Sequence, residues 1–346
     1  MVARPQIHGV RPVTALVTGA GGFLGRTLVC ALRARGIGVR ALLREGSGAS
    51  TLLMSGSESS GPEVPGVEVI RGDATDAAAM RRAVEGCDII YHLAGVRRAT
   101  SRDEFMQVNA GSTRLLLEAS VAAGAGHHRF VLAGSLAAIG PSREGKREDD
   151  PFAPAEWYGE SKAEAERLTL SYADRLPVAI GRPPRIMGPG DRENLLFFRI
   201  VKRGVVVRIL GPERPLSWID VDDCAEGFAL LGEHPAAIGH AFFLASKERT
   251  SIEALQREVA HALGVTPRGL PVPPALVSGL AAAADFVTRA TGRKLPLNRK
   301  LARQVLAPGW TCVPDKAERL LGFTARTSLR DSVARSARFY LDRGWL

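Results

Sequence analysis

The chain has only four cysteines in 346 residues, and none of them is paired by spacing. Cys30, Cys87, Cys224 and Cys312 form neither a C-x-x-C nor a Cys/His cluster of metal-ligand spacing, which excludes a disulfide scaffold and a zinc ribbon. They read as reduced, buried thiols of a cytoplasmic protein, and no metal is expected. Long apolar runs are missing as well. A spanning helix needs roughly 18 uninterrupted apolar residues. The nearest stretch, Ala275–Val287, is broken by Asp285 and followed by Arg and Lys. Aromatics make up 6%, and the basic residues behind the net charge of +10 are scattered instead of interleaved with them. Nucleic acid is therefore not an expected partner. The charge reads as a solvated basic surface with some attraction for phosphorylated ligands.

Apolar residues supply 45% of the chain, enough for a large core and for a main domain with a smaller satellite. Charged residues and prolines precede the short apolar run Val13–Val17, which leads into glycines and so reads as a first strand, not a signal peptide. Thr14–Val17, Val39–Leu43, Val67–Ile70, Ile89–Leu93, Phe130–Ala133 and Val178–Ile180 read as strands. Helical periods lie near Gly25–Arg35, Ala77–Val84, Phe105–Ala123 and Ser161–Asp174. This alternation predicts an α/β fold with a doubly wound parallel sheet. Glu45–Gly66 reads as a surface loop, and His127 and His128, before the fifth strand, as a surface pair.

After Pro183 the alternation loosens. Residues 1–182 are expected to form mainly the sheet domain, and 183–346 mainly a smaller α+β substrate domain, with some elements returning to the sheet. Val205–Ile209 and Phe242–Leu244 are assigned to the smaller domain as short strands. Helices are expected at Val221–Gly232, Ile252–Leu263, Pro273–Thr288, Asn298–Leu306, Pro314–Leu321 and Ser328–Leu341.

Thr18-Gly19-Ala20-Gly21-Gly22-Phe23-Leu24-Gly25 joins the first strand to the first helix. Gly19, Gly22 and Gly25 permit a tight turn and close approach of a pyrophosphate, which the helix N-terminus at Phe23 and Leu24 favours. Strand, glycine turn and helix together point to a Rossmann-type dinucleotide site. An arginine, Arg44, stands where an acidic residue would hold the ribose of NAD. Guanidinium suits a 2′-phosphate, so NADP(H) is favoured over NAD(H). The other reading is that Glu45 holds the ribose and Arg44 is a solvated strand-end charge. Arg40, on the strand interior, is less well placed.

Tyr158 and Lys162 are four apart at a helix start, so both side chains lie on one face. Bringing a phenol from about 10 to about 7 needs roughly 4 kcal/mol, and one cation about 4 Å away supplies about that at an effective dielectric near ~20.

The Gly-x-x-Gly-x-x-Gly spacing resembles the extended short-chain dehydrogenase/reductase superfamily, the NAD(P)-dependent epimerase/dehydratase family, and other segments agree in order. Gly72-Asp73-Ala74 follows the third strand, where the resemblance places Asp73 against adenine. Leu93-Ala94-Gly95 ends the fourth strand beside the cofactor. Val108-Asn109 resembles the family's helix Asn motif, with Asn109 holding a backbone bend or a relay water; a plain helix-interrupting polar residue is the other reading. Pro184 and Arg185 follow the sixth strand at the nicotinamide pocket. Ser135, 23 residues before Tyr158, takes the place of the hydroxyl that orients the substrate oxygen, although Gly134 replaces a second hydroxyl common there. Ser135 also reads as an ordinary turn residue.

The resemblance implies an oxidoreductase that interconverts ketone and secondary alcohol, with Ser135, Tyr158, Lys162 and Asn109 as the catalytic set. The C-terminal end, from Leu320-Leu321-Gly322-Phe323 to Trp345-Leu346, is similar to dihydroflavonol reductases and 3β-hydroxysteroid dehydrogenases and implies an apolar small-molecule substrate. Phe197, Phe198, Trp218 and Leu276–Val287 are candidate pocket walls, although each such residue is more often core than ligand wall. A nucleotide-sugar epimerase or dehydratase would use the same residues, with Arg185, Arg192 and Arg208 on a pyrophosphate. A non-catalytic dinucleotide sensor is opposed by the retained Tyr158, Lys162 and Ser135. Peripheral membrane contact through Arg293–Arg303 beside the apolar Pro274–Val287, and a homodimer, complete the expectations.

Overall fold

The computed structural model describes residues 13–47, 66–124, 129–291 and 299–346. Most of the Glu45–Gly66 loop, His127, His128 and the start of the Arg293–Arg303 segment lie outside the described residues. Strands β1 to β5 are Thr14–Thr18, Gly38–Leu43, Val67–Arg71, Ile89–His92 and Arg129–Ala133. Strands β6 to β10 are Ser142–Lys146, Val178–Arg182, Arg185–Met187, Val205–Ile209 and Pro215–Asp220, and β11 to β14 are His240–Phe243, Arg249–Ser251, Arg268–Val272 and Trp310–Cys312. Helices α1 to α6 are Phe23–Ala34, Ala77–Val84, Arg102–Phe105, Ser112–Ala122, Leu136–Ile139 and Trp157–Leu170, and a π-helical turn, Met106–Gly111, joins α3 to α4. Helices α7 to α13 are Leu195–Lys202, Val221–Glu233, Ile252–Leu263, Pro274–Thr291, Arg299–Leu306, Asp315–Leu321 and Leu329–Asp342.

Seven parallel strands form the main sheet in the order β11-β7-β5-β4-β1-β2-β3. Both faces are covered, which explains why its strands read as near-continuous apolar runs. Along β1, Ala15 and Val17 pack with Leu28 of α1 and Phe228 of α8, while Leu16 packs on the other side with Met80 of α2 and Leu117 of α4. The strand order reverses between β1 and β4, so the carboxyl ends of those two strands frame the crevice where such sheets take ligands.

One sequence expectation is corrected. The sequence pattern places Phe242 in the smaller domain, but β11 pairs with β7 in the main sheet, with Phe242 opposite Gly181. Helix α8 packs along α1 and returns the chain there. A second sheet, β12-β10-β14-β6 with β8 also on β10, and a ribbon of β13 and β9 stand apart from the main one. A further core joins α7, α9 and α13 around Trp218, Phe198 and Tyr340.

Candidate active site

Strand β1 enters a turn at Gly19, whose φ of +71° favours glycine, and a Cβ there would lie 2.7 Å from the backbone nitrogen of Ala94. The end of β1 can therefore press against the end of β4. Leu93 and Ala94 both donate backbone N–H bonds to Thr18, at 3.2 Å each. A Cβ on Gly25 would meet the Gly19 carbonyl oxygen at 2.1 Å, so α1 begins hard against the turn. Gly22 caps α1 without a side chain. The first amides of the helix, at Phe23, Leu24 and Gly25, have no intrahelical acceptor and present a partial positive charge. An uncapped helix start facing a glycine turn, with no room for a Cβ, fits a bound pyrophosphate.

The same strand ends carry a buried polar chain that sequence reading missed. His92 Nδ1 lies 2.7 Å from Thr18 Oγ1, and Nε2 lies 3.2 Å from Ser112 Oγ. Burial, helped by the neighbouring Lys162 ammonium, pushes the imidazole down to about 3, so His92 is a neutral spacer.

Arg44 is exposed at the end of β2. Asp73, after β3, is exposed too; its carboxylate accepts bonds from the Thr75 backbone (2.8 Å) and hydroxyl (2.7 Å). Those bonds, with a smaller contribution from Arg44, hold Asp73 below the usual carboxylate range. Ala74 beside it is half-buried. Arg40 is turned away and bonds Glu68 at 2.8 Å.

Tyr158 and Lys162 sit in the first two turns of α6, which starts at Trp157, four residues earlier than the helical period suggested. A Cβ on Gly159 would lie 2.4 Å from the Ala137 carbonyl oxygen, so this turn packs directly on α5, whose N-cap is Ser135. The Tyr158 ring meets the edge of Phe105 at 6.2 Å between centroids. Its hydroxyl takes no hydrogen bond from the described residues. Lys162 is buried (7% exposed), and its Nζ donates to the Ala133 carbonyl at 2.8 Å, anchoring the ammonium at the end of β5.

Ser135 sits at the turn between β5 and α5. Its Oγ accepts the Ala137 N–H at 3.1 Å as the N-cap of α5, and its own proton remains to be donated. Asn109 lies in the π-helical turn, 2% exposed. Its amide clamps both backbone groups of Val96, at 2.7 and 3.1 Å, and donates to Ser161 at 2.9 Å. Both Asn109 donors are thus used in tying the segment after β4, including Gly95, to α6. These bonds agree with the reading in which Asn109 holds a backbone bend.

A second missed feature lies behind Ser135. Glu166 is fully buried and pairs with Arg182 at 2.8 Å, the two side chains being 0% and 4% exposed. Glu166 also accepts the Ser135 backbone N–H at 3.2 Å, while Arg182 donates to the Glu148 carbonyl at 2.7 Å. Burial holds the Glu166 carboxyl above its usual range, with Arg182 opposing. A Cβ on Gly134 would be 2.2 Å from Glu166 Oε1. The missing second hydroxyl before Ser135 is therefore the space this carboxylate occupies.

Beyond β7, Pro184 is half-buried, and Arg185 opens β8, bonded to Asn194 and facing the Phe197 ring at 5.8 Å. Arg192 lies over Trp345 at 4.7 Å, and Arg208 pairs with Glu253 at 3.7 Å. These three arginines thus have separate partners. The candidate pocket walls divide into buried and exposed side chains. Trp218 (0%) and Phe198 (2%) are core, and Leu276, Leu280 and Phe286 are exposed at 50%, 52% and 73%. Among the cysteines, Cys30 is exposed, not buried. No metal-holding cluster occurs among the described residues.

The chain is similar to several known proteins. The model of the NAD dependent epimerase/dehydratase family matches residues 15–245. A ceramide reductase of Caulobacter vibrioides is 29% identical over 335 residues, covering 95% of each chain. A 3 beta-hydroxysteroid dehydrogenase/Delta 5-->4-isomerase of Mycobacterium tuberculosis is 32% identical over 267 residues, 72% of this chain and 69% of that one. A dTDP-glucose 4,6-dehydratase structure from Streptomyces venezuelae, solved with NAD, superposes with a TM-score of 0.75 at 24% identity, covering 96% of this chain and 98% of its own. With the glycine turn, the strand order and these matches together, the chain belongs to the NAD dependent epimerase/dehydratase family, among the NAD(P)-dependent oxidoreductases of extended short-chain type.

Proposed function

We propose that the protein interconverts a ketone and a secondary alcohol on a hydrophobic substrate, with Tyr158 as acid and base and Ser135 and Lys162 beside it. The observation that carries this reading is the similarity to a ceramide reductase, which covers 95% of both chains and so extends beyond the glycine turn into the C-terminal third. The local geometry supports it. The Tyr158 hydroxyl takes no bond from the described residues and so suits a substrate oxygen. Ser135 keeps a proton to donate to the same oxygen. Lys162, four residues after Tyr158 on α6, has its ammonium held at the Ala133 carbonyl at the end of β5.

When bound, the nicotinamide supplies or accepts the hydride. Residues 1–182 mainly hold the dinucleotide and 183–346 mainly the substrate. NADP(H) is the preferred cofactor through Arg44, and the enzyme works in the cytoplasm. A nucleotide-sugar reading is less well supported, because Arg185, Arg192 and Arg208 have separate partners.

The test is turnover of a panel of apolar ketones by the purified protein with NADPH and with NADH. Consumption of NADPH with such a ketone supports the reading. Turnover of a nucleotide sugar without net consumption of either cofactor overturns it.

A further inference from the structure

Helix α10 reverses the usual polarity of a surface helix. Ala281 and Ala284 face the protein, 0% and 9% exposed. Leu276, Leu280, Ala283 and Val287 share one exposed stripe at helical spacing, and Phe286 beside it is 73% exposed. A helix at an ordinary protein surface puts its charged residues outside and its large apolar ones inside. From 275 to 288 the sequence has one charge, Asp285, and that carboxylate is turned to Arg299 of α11, whose backbone N–H donates at 3.3 Å. Strand β13, which leads into α10, exposes Leu270 at 52%. On α11, Leu301 is 36% exposed, and Arg299 and Arg303 are exposed as well. Between 288 and 303 the sequence carries Arg289, Arg293, Lys294, Arg299, Lys300 and Arg303 and no acidic residue.

We propose that α10 and α11 dock on an anionic lipid surface, with the α10 stripe among the upper acyl chains and Arg299 and Arg303 at the phosphates. An apolar stripe flanked by cations has the composition of a helix that lies in the headgroup layer. No helix among the described residues is long and apolar enough to cross a membrane, so the contact is peripheral. Its position joins it to the candidate active site. Gln304 of α11 donates to the Glu156 carboxylate, immediately before α6, and Trp157, next to Tyr158, is 44% exposed. A protein docked this way holds the start of α6 close to the bilayer, where an apolar substrate resides. That last consequence rests on the substrate class proposed above; the docking itself does not.

Flotation of the full chain with vesicles separates the two. Vesicles of phosphatidylcholine mixed with phosphatidylglycerol are expected to carry the protein, phosphatidylcholine alone far less, and added salt to release it. Leu280→Asp with Phe286→Asp is expected to lower partitioning roughly 100-fold, and Arg303→Glu roughly tenfold. Unchanged dinucleotide binding by these variants confirms that they fold. No flotation with anionic vesicles, or flotation that the double variant leaves intact, overturns the proposal. So does a wild-type dimer that the double variant converts to a monomer without any lipid effect, which would assign the stripe to a second copy of the chain. Turnover is not read in this experiment, so failure of the catalytic reading leaves its result standing.

Discussion

At the end of β5 a carboxylate and a guanidinium are buried together, whereas on α10 a phenylalanine and two leucines stand in solvent. The first region accepts the desolvation of two charges and offsets it with a close ion pair and backbone bonds to Ser135 and Glu148. The second leaves large apolar area uncovered while alanines fill the inner face. The difference teaches where each region finds its partners. Around Ser135 the buried groups find their partners within the chain; on α10 Leu276, Leu280 and Phe286 face outward.

Breaking the buried pair should have the largest effect. Glu166→Ala leaves Arg182 buried and unpaired and is expected to cost about 3–5 kcal/mol in chemical unfolding. Gly134→Ala forces a methyl against the same carboxylate and should destabilise by about 1–3 kcal/mol. His92 tests the polar chain at the neighbouring strand end through pH. Its folded value is about 3, against an ordinary 6.5. Below about 6.5 the unfolded chain binds a proton that the folded one refuses, so stability falls as pH falls, by about 3 kcal/mol near pH ~4. Glu166, raised by burial, acts in the opposite sense, so the comparison must be with His92→Gln, whose stability should decline less over the same range. Arg44→Ala should weaken NADPH about tenfold in a fluorescence titration and leave NADH unchanged. At the small end, Leu280→Ser and Phe286→Ser should change unfolding free energy by less than about 0.5 kcal/mol, because α10 buries neither side chain. A large loss there would erase the contrast between the two regions.

Sequence reading reached the main sheet because its strands are apolar runs followed by glycine or turn residues, a local signal. Phe242 had the same signal, but its partner, Gly181, lies 61 positions away in the chain, and periodicity does not say which sheet a strand joins. The strands Arg185–Met187, Arg249–Ser251 and Trp310–Cys312 went unread because three residues give no period. The places of Tyr158 and Lys162 on one helix and of Ser135 after a buried strand were legible from spacing and context. Glu166 and Arg182 were not, since a lone Glu on a helix and an Arg at a strand end each read as solvated until the fold removes the water. Gly134 was the available clue, a glycine on a buried strand end where a side chain was expected.

The most direct test of the central claim compares Tyr158→Phe with wild type on one apolar ketone, measuring NADPH binding and turnover in the same preparations. The account predicts unchanged binding and turnover reduced by roughly 100-fold or more, because only the proton donor is removed. Turnover retained in the variant would show that the proton comes from another group and would contradict the assignment of this site.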